Sequence, residues 1–195
     1  MITMLIEQLI DYQPYNEQEA FDQTSMIAFI RRNPDYLLRS NTIAHVTSSS
    51  IVVNAEMTHI LFAFHNQYQS WGWLGGHNDG DEDCLRVAIK ETTEESGVSN
   101  VRPYDGKIFM IETIMVPNHI KKGKHVSDHL HLNITYLLIA DDQQPLVINY
   151  DENSNVAWFT FAEAMANVSE PHMIPIYQKA LDKITLLKRQ SFQVI

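Results

Sequence analysis

The sequence holds a single cysteine, Cys84, among 195 residues. That excludes an internal disulfide and any metal cage built of cysteines alone. Basic residues are also scarce: 14 Lys and Arg stand against 24 Asp and Glu, for a formal net charge of -10. Binding to nucleic acid or anionic lipid draws its strength from Lys and Arg displacing counterions, so neither is expected as a partner. No apolar run approaches the roughly 18–20 residues that cross a bilayer. No Lys or Arg precedes Arg31. The charged start of a secretory signal is therefore missing, and the expected location is the cytoplasm. Glycine is rare, with seven in the chain, yet Gly72, Gly75, Gly76, Gly80 and Gly97 fall in one stretch. What is present is a globular composition, 45% hydrophobic and 19% charged, long enough for one sizeable domain with a small appendage.

The acidic charge is unevenly placed. Residues 1–30 carry Glu7, Asp11, Glu17, Glu19 and Asp22 with no base, a diffuse pattern that reads as solvated helix faces. Residues 76–97 carry Asp79, Asp81, Glu82, Asp83, Glu91, Glu94 and Glu95 against Arg86 and Lys90.

Residues 1–40 show helical apolar spacing, with Ile2, Leu5, Ile6 and Leu9 on one face and Ala20, Met26, Ile27 and Ile30 on another; Pro14 and Pro34 punctuate them. From Ile43 the period shortens and β-branched residues accumulate, predicting a strand. Ile60–Phe64 predicts a second strand joined to the first through Asn54–Thr58, and Trp71–Leu74 a short third. Residues 82–96 predict a helix ended by Gly97 in the left-handed conformation. Strands are expected at 107–116 and 131–140 and up to Trp158-Phe159, and helices at 161–167 and 174–188. The chain therefore divides into a helical extension, 1–42, and an α/β layered domain, 43–195.

The helix at 82–96 conflicts with helix electrostatics. At 100° per residue Glu91, Glu94 and Glu95 share one face, beside an apolar face of Leu85, Ala88, Ile89 and Thr92. They occupy the last turns, where the macrodipole disfavours negative charge. Two carboxylates about 5 Å apart repel by roughly 3 kcal/mol at an effective dielectric of 20. A solvated acidic face is the bland alternative, and the conflict with the helix dipole counts against it. A hard divalent cation accounts for the placement: Mg²⁺ or Mn²⁺ prefers carboxylate oxygens and keeps waters that a phosphate can replace.

The run Gly76-His77-Asn78-Asp79-Gly80-Asp81-Glu82, seven residues, then Lys90-Glu91-Thr92-Thr93-Glu94-Glu95-Ser96-Gly97-Val98 resembles the Nudix box, G-x5-E-x7-R-E-U-x-E-E-x-G-U, where U is apolar. Lys90 replaces the pattern's arginine and Thr92 its usual aliphatic residue, and Leu74 replaces the proline that often precedes the two glycines. Lysine keeps the charge but loses the two-pronged fork. The resemblance covers roughly 43–165 and implies a Nudix-type α/β/α sandwich with a mixed sheet. It implies hydrolysis of a nucleoside diphosphate linked to another group, a nucleotide-type small-molecule substrate. It assigns the metal to Glu91, Glu94, Glu95 and the carbonyl of Gly76, and the base to Glu91 or Glu152. His77, Trp71, Lys122 and Lys124 are candidate substrate contacts.

Other residues carry bland readings beside functional ones. His125, His129 and His131 lie close in sequence, and two His plus an acid can bind Zn²⁺; no third ligand is fixed by spacing, so ordinary hydrogen bonding or a pocket lining is the expectation. His45 and His77 flank the expected site. Cys84 reads as a packed thiol, and Trp73 and Trp158 as core. Rival functions are a catalytically weak or inactive Nudix-fold nucleotide-binding regulator, an isopentenyl-diphosphate-isomerase-like enzyme for which Cys84 is misplaced, and an assembly role for residues 1–42, with a homodimer as its simplest product.

Overall fold

The structure is a computed structural model and describes residues 3–121 and 123–192. Its contacts divide the described chain into two compact units, one within Met1–Ser49, Gly75–Ala88 and Asp105–Tyr136, the other within Ser50–Leu74, Ile89–Tyr104 and Leu137–Ile195.

The first unit opens with two helices, α1 (Met4–Asp11) and α2 (Glu17–Arg32). Thr3 caps α1 by accepting from the Ile6 amide, and Asn16 caps α2 by accepting from Glu19. Leu5, Ile6, Leu9, Met26 and Ile30 are buried, as their spacing predicts. Buried Glu19 accepts from the Tyr12 hydroxyl at 2.5 Å and the Tyr15 amide at 2.7 Å, fixing the corner between the helices.

Strand β1 (Ala44–Val53) follows, and every residue of it is buried. Both of its faces are covered, so its polar residues must find partners inside. They do: Thr47 and Ser49 hydroxyls donate to Asn133 at 2.9 and 2.8 Å, and Ser48 donates to Asn78 at 2.8 Å. The strand β4 (Leu74–His77) pairs with β1. A Cβ at Gly75 would lie 2.5 Å from the Ser48 carbonyl oxygen and 2.6 Å from Ser49 Cα, so only glycine permits this approach.

In the second unit β2 (His59–His65) pairs antiparallel with β3 (Ser70–Gly72) and β9 (Asn153–Thr160), with Ile60 opposite Phe159. Asn54 closes the β1–β2 turn, its side-chain oxygen accepting from the Thr58 and His59 amides at 2.8 and 3.0 Å. Helix α4 (Phe161–Asn167) starts with a Thr160–Glu163 capping box. Helix α5 (Ile174–Phe192) buries Tyr177, whose hydroxyl accepts from the Trp73 amide at 3.1 Å.

Five elements carry residues of both units: β1, β4, α3 (Cys84–Ser96), β5 (Arg102–Val116) and β8 (His129–Ile139). The sheet order is β3-β2-β1-β8-β5, with β4 added to β1 and β9 to β2, and a separate hairpin joins β6 (His119–Lys121) to β7 (Lys124–Val126). The expected α/β fold with a mixed sheet is thus present.

Several boundaries differ from expectation. The strand predicted over Trp71–Leu74 is two strands interrupted at Trp73, whose ring is buried against Tyr177. The helix starts at Cys84, leaving Glu82 in the preceding loop. The segment between the strands predicted at 107–116 and 131–140 contains the β6–β7 hairpin. Trp158, expected in the core, is half-buried.

Candidate functional site

Helix α3 carries the three glutamates on its C-terminal half, within the second unit. The Thr92 hydroxyl meets that of Ser50 at 2.6 Å, which holds the helix against β1; the position that breaks the apolar pattern is therefore a buried hydrogen bond. The buried face is Cys84, Val87, Ala88, Thr92, Glu95 and Ser96. Leu85 and Ile89, expected there, are only half-buried, because the face is rotated toward Glu95. Gly97 ends the helix at φ 71°, as predicted, and a Cβ there would lie 2.6 Å from Val147 Cβ.

The glutamates differ in environment. Glu95 is 2% exposed, the Glu91 side chain 14% and the Glu94 side chain 53%. Lys90 stands between two of them, its ammonium 3.2 Å from Glu91 Oε1 and 3.2 Å from Glu94 Oε2. Burial raises the Glu91 pKa; Lys90 opposes this, and the charges of Glu94 and Glu152 add to it. Glu152, exposed in the turn before β9, is thus within electrostatic reach of Glu91. Trp71, half-buried on β3, packs edge-on against Phe159 at 4.8 Å and Phe64 at 5.6 Å between ring centroids.

The other candidates lie in the first unit. Gly76 and His77 are on β4 and exposed Lys124 is on β7. Lys122 lies outside the described residues. The loop from Asn78 to Cys84 is tied down by Asn78, which donates to the Asp81 carbonyl at 2.8 Å and to Cys84 Sγ at 3.3 Å. Arg39 pairs with Asp79 through two hydrogen bonds.

His77 also belongs to a histidine group. One ring nitrogen from each of His45, His77 and His131 lies within 4.8 Å of the other two. Among the described residues these are the side chains gathered closely enough to make a three-ligand set; the three glutamates do not form one. Burial, then the charges of Arg39, His45, Lys121 and His129, lowers the His77 pKa to about 3; burial, then the neighbouring histidines and Lys121, lowers that of His131. The sequence grouped His131 with His125 and His129, and set His45 and His77 beside the expected site without joining the two sets. His45 and His77 come from distant strands, and only the pairing of β4 with β1 joins them.

No protein-family model matches the sequence, and neither does any curated protein. Solved structures do match. An Ap4A hydrolase from C. elegans, seen in a binary complex, aligns with 74% of this chain and 98% of its own, at a TM-score of 0.54 and 17% identity. A NUDIX-family hydrolase from Clostridium perfringens aligns with 71% and 96%, at 0.52 and 21%. The E. coli dihydroneopterin triphosphate pyrophosphohydrolase aligns with 69% and 92%, at 0.52 and 12%. This chain has the Nudix fold. Residues 76–98, which resemble the Nudix box, form the loop, helix and turn from β4 through α3 to Gly97.

Proposed function

We propose that this chain is a divalent-metal-dependent hydrolase of phosphoanhydrides in nucleoside diphosphate-linked compounds. The observation that supports it most directly is three carboxylates on the last turns of one helix, one of them buried and another with its pKa raised by burial, with a fourth in electrostatic reach. Glu91, Glu94 and Glu95 are all hard oxygen donors, a set that fits Mg²⁺ or Mn²⁺. When bound, such an ion offsets charge on phosphoryl oxygens and acidifies a coordinated water.

The chain's own residues supply the rest. Water oxygen bonds to phosphorus, the anhydride P–O bond breaks, and the leaving phosphate departs with the bonding electrons. Glu91 takes the water proton, since a carboxylate made more basic by burial is better matched to that task near neutral pH. Glu152 is the competing base. Trp71 offers a half-buried ring edge for stacking on a nucleobase. Compounds named for two of the structural neighbours, Ap4A and dihydroneopterin triphosphate, both carry phosphoanhydrides and open the substrate screen.

The test is that screen, run with Mg²⁺ and Mn²⁺ and read as phosphate released after coupling to a phosphatase. Glu94→Gln, at an exposed position, is expected to lower turnover by about 10²–10³-fold with the fold intact by circular dichroism. Unchanged turnover in this variant sinks the assignment. No turnover of any diphosphate by the wild type, with a nucleotide still bound in calorimetry, would favour the binding regulator.

A further inference from the structure

We propose that His45, His77 and His131 form a second metal site, one that takes a borderline transition-metal ion such as Zn²⁺. The site lies entirely in the first unit and shares no ligand with the glutamates of α3, so it stands or falls apart from the hydrolase reading.

Three strands deliver the ligands: His45 from β1, His77 from β4 and His131 from β8. Imidazole nitrogens suit zinc and its neighbours, whereas Mg²⁺ and Mn²⁺ prefer oxygens. A tetrahedral ion with bonds of about 2.0–2.1 Å holds its nitrogens about 3.3 Å apart. The three nitrogens here lie within 4.8 Å of one another, so closing on an ion requires only a small inward turn of the rings. The half-buried state of His77 and His131 leaves room for a water in the remaining position, the arrangement that three-histidine zinc sites use.

The hydrogen bonds around the group set the tautomers. His45 Nδ1 lies 3.0 Å from the Asn41 carbonyl oxygen. A carbonyl only accepts, so Nδ1 carries the proton and Nε2 carries the lone pair. That Nε2 is buried and has no hydrogen-bond partner among the described residues, on a side chain 4% exposed. A buried acceptor without a donor is costly, and a metal ion would satisfy it. His129 repeats the pattern one step out. Its Nδ1 donates to the Ser127 carbonyl at 2.8 Å, so its Nε2 accepts from His131 Nε2 at 3.2 Å. His129 thus orients His131 in the way outer partners orient ligating histidines. Two cations oppose an ion here. Arg39 is largely cancelled by Asp79, and Lys121 is exposed on β6, where water screens it.

The experiment uses the full chain stripped of metal with a chelator. Zn²⁺ is titrated by calorimetry, and Co²⁺ by its visible d–d absorption, which reports nitrogen ligation. One equivalent is expected to bind the wild type. The Glu94→Gln/Glu95→Gln double variant is expected to keep it within about 3-fold, while His77→Gln and His131→Gln each weaken it by about 100-fold or more. Imidazole nitrogen NMR on the wild type needs no variant, and zinc should move the signals of His45, His77 and His131. The proposal is overturned if the wild type takes up no stoichiometric Zn²⁺ or Co²⁺. It is equally overturned if binding survives in folded His77→Gln and His131→Gln, or if it vanishes in the glutamate double variant while the histidine signals stay still. The last result would place the ion on α3 and leave the hydrolase reading intact.

Discussion

Lys90 occupies the box position where the Nudix pattern has arginine, and its single ammonium lies against both Glu91 and Glu94. It answers part of the charge conflict that the sequence posed, without the fork that would lock a carboxylate. Lys90→Ala is therefore expected to tighten Mn²⁺ binding by about 2–5-fold while changing stability by less than about 1 kcal/mol, since exposed ion pairs are weak; titration followed by electron paramagnetic resonance, beside urea unfolding, checks both. His65 acts on stability instead. Burial lowers its pKa, and one ring nitrogen sits 2.8 Å from the Trp73 carbonyl oxygen. A depressed pKa means that the unfolded chain takes up protons first. The stability it contributes is complete above about pH 6.5 and is lost as pH falls toward the folded value. The urea midpoint should fall between pH 7 and pH 5, and His65→Gln should flatten part of that slope.

The ends of α3 show what a sequence can disclose. Gly97 was legible because a helix stop needs a positive φ, and its neighbourhood adds a second constraint in Val147. Gly97→Ala is expected to cost about 1–3 kcal/mol through backbone strain and crowding together. Trimming the exposed neighbour in Gly97→Ala/Val147→Ala should recover the crowding share alone, as urea midpoints would show. Helices α1, α2, α4 and α5 and strands β1, β2 and β9 were legible for the same kind of reason, since local period and local caps specify them. The three glutamates were legible because fixed spacing on one helix is local too. The histidine group was not, because its members meet only through strand pairing, which no spacing rule encodes. Nor was the break at Trp73, which follows from contact with Tyr177 on a distant helix.

For the molecule as a whole, residues 1–42 are more than an attachment in sequence. Leu5, Leu9 and Met26 are fully buried. The Tyr12 hydroxyl reaches the Phe109 carbonyl at 3.3 Å, and Asp22 accepts from the Thr113 amide at 3.0 Å. Each fully buried aliphatic side chain is worth roughly 2 kcal/mol. Deleting 1–42 is expected to abolish a cooperative thermal transition rather than yield a smaller stable domain, as calorimetry would report. Cys84 gives a way to watch such losses without adding a probe. Its thiol is 1% exposed, accepts from Asn78 and is pushed up to about 11 by burial. A disulfide reagent at neutral pH should therefore leave the native protein unlabelled and modify each molecule only as it opens, so the rate of colour release becomes a clock for unfolding, read from one atom that nature placed at the head of the box helix.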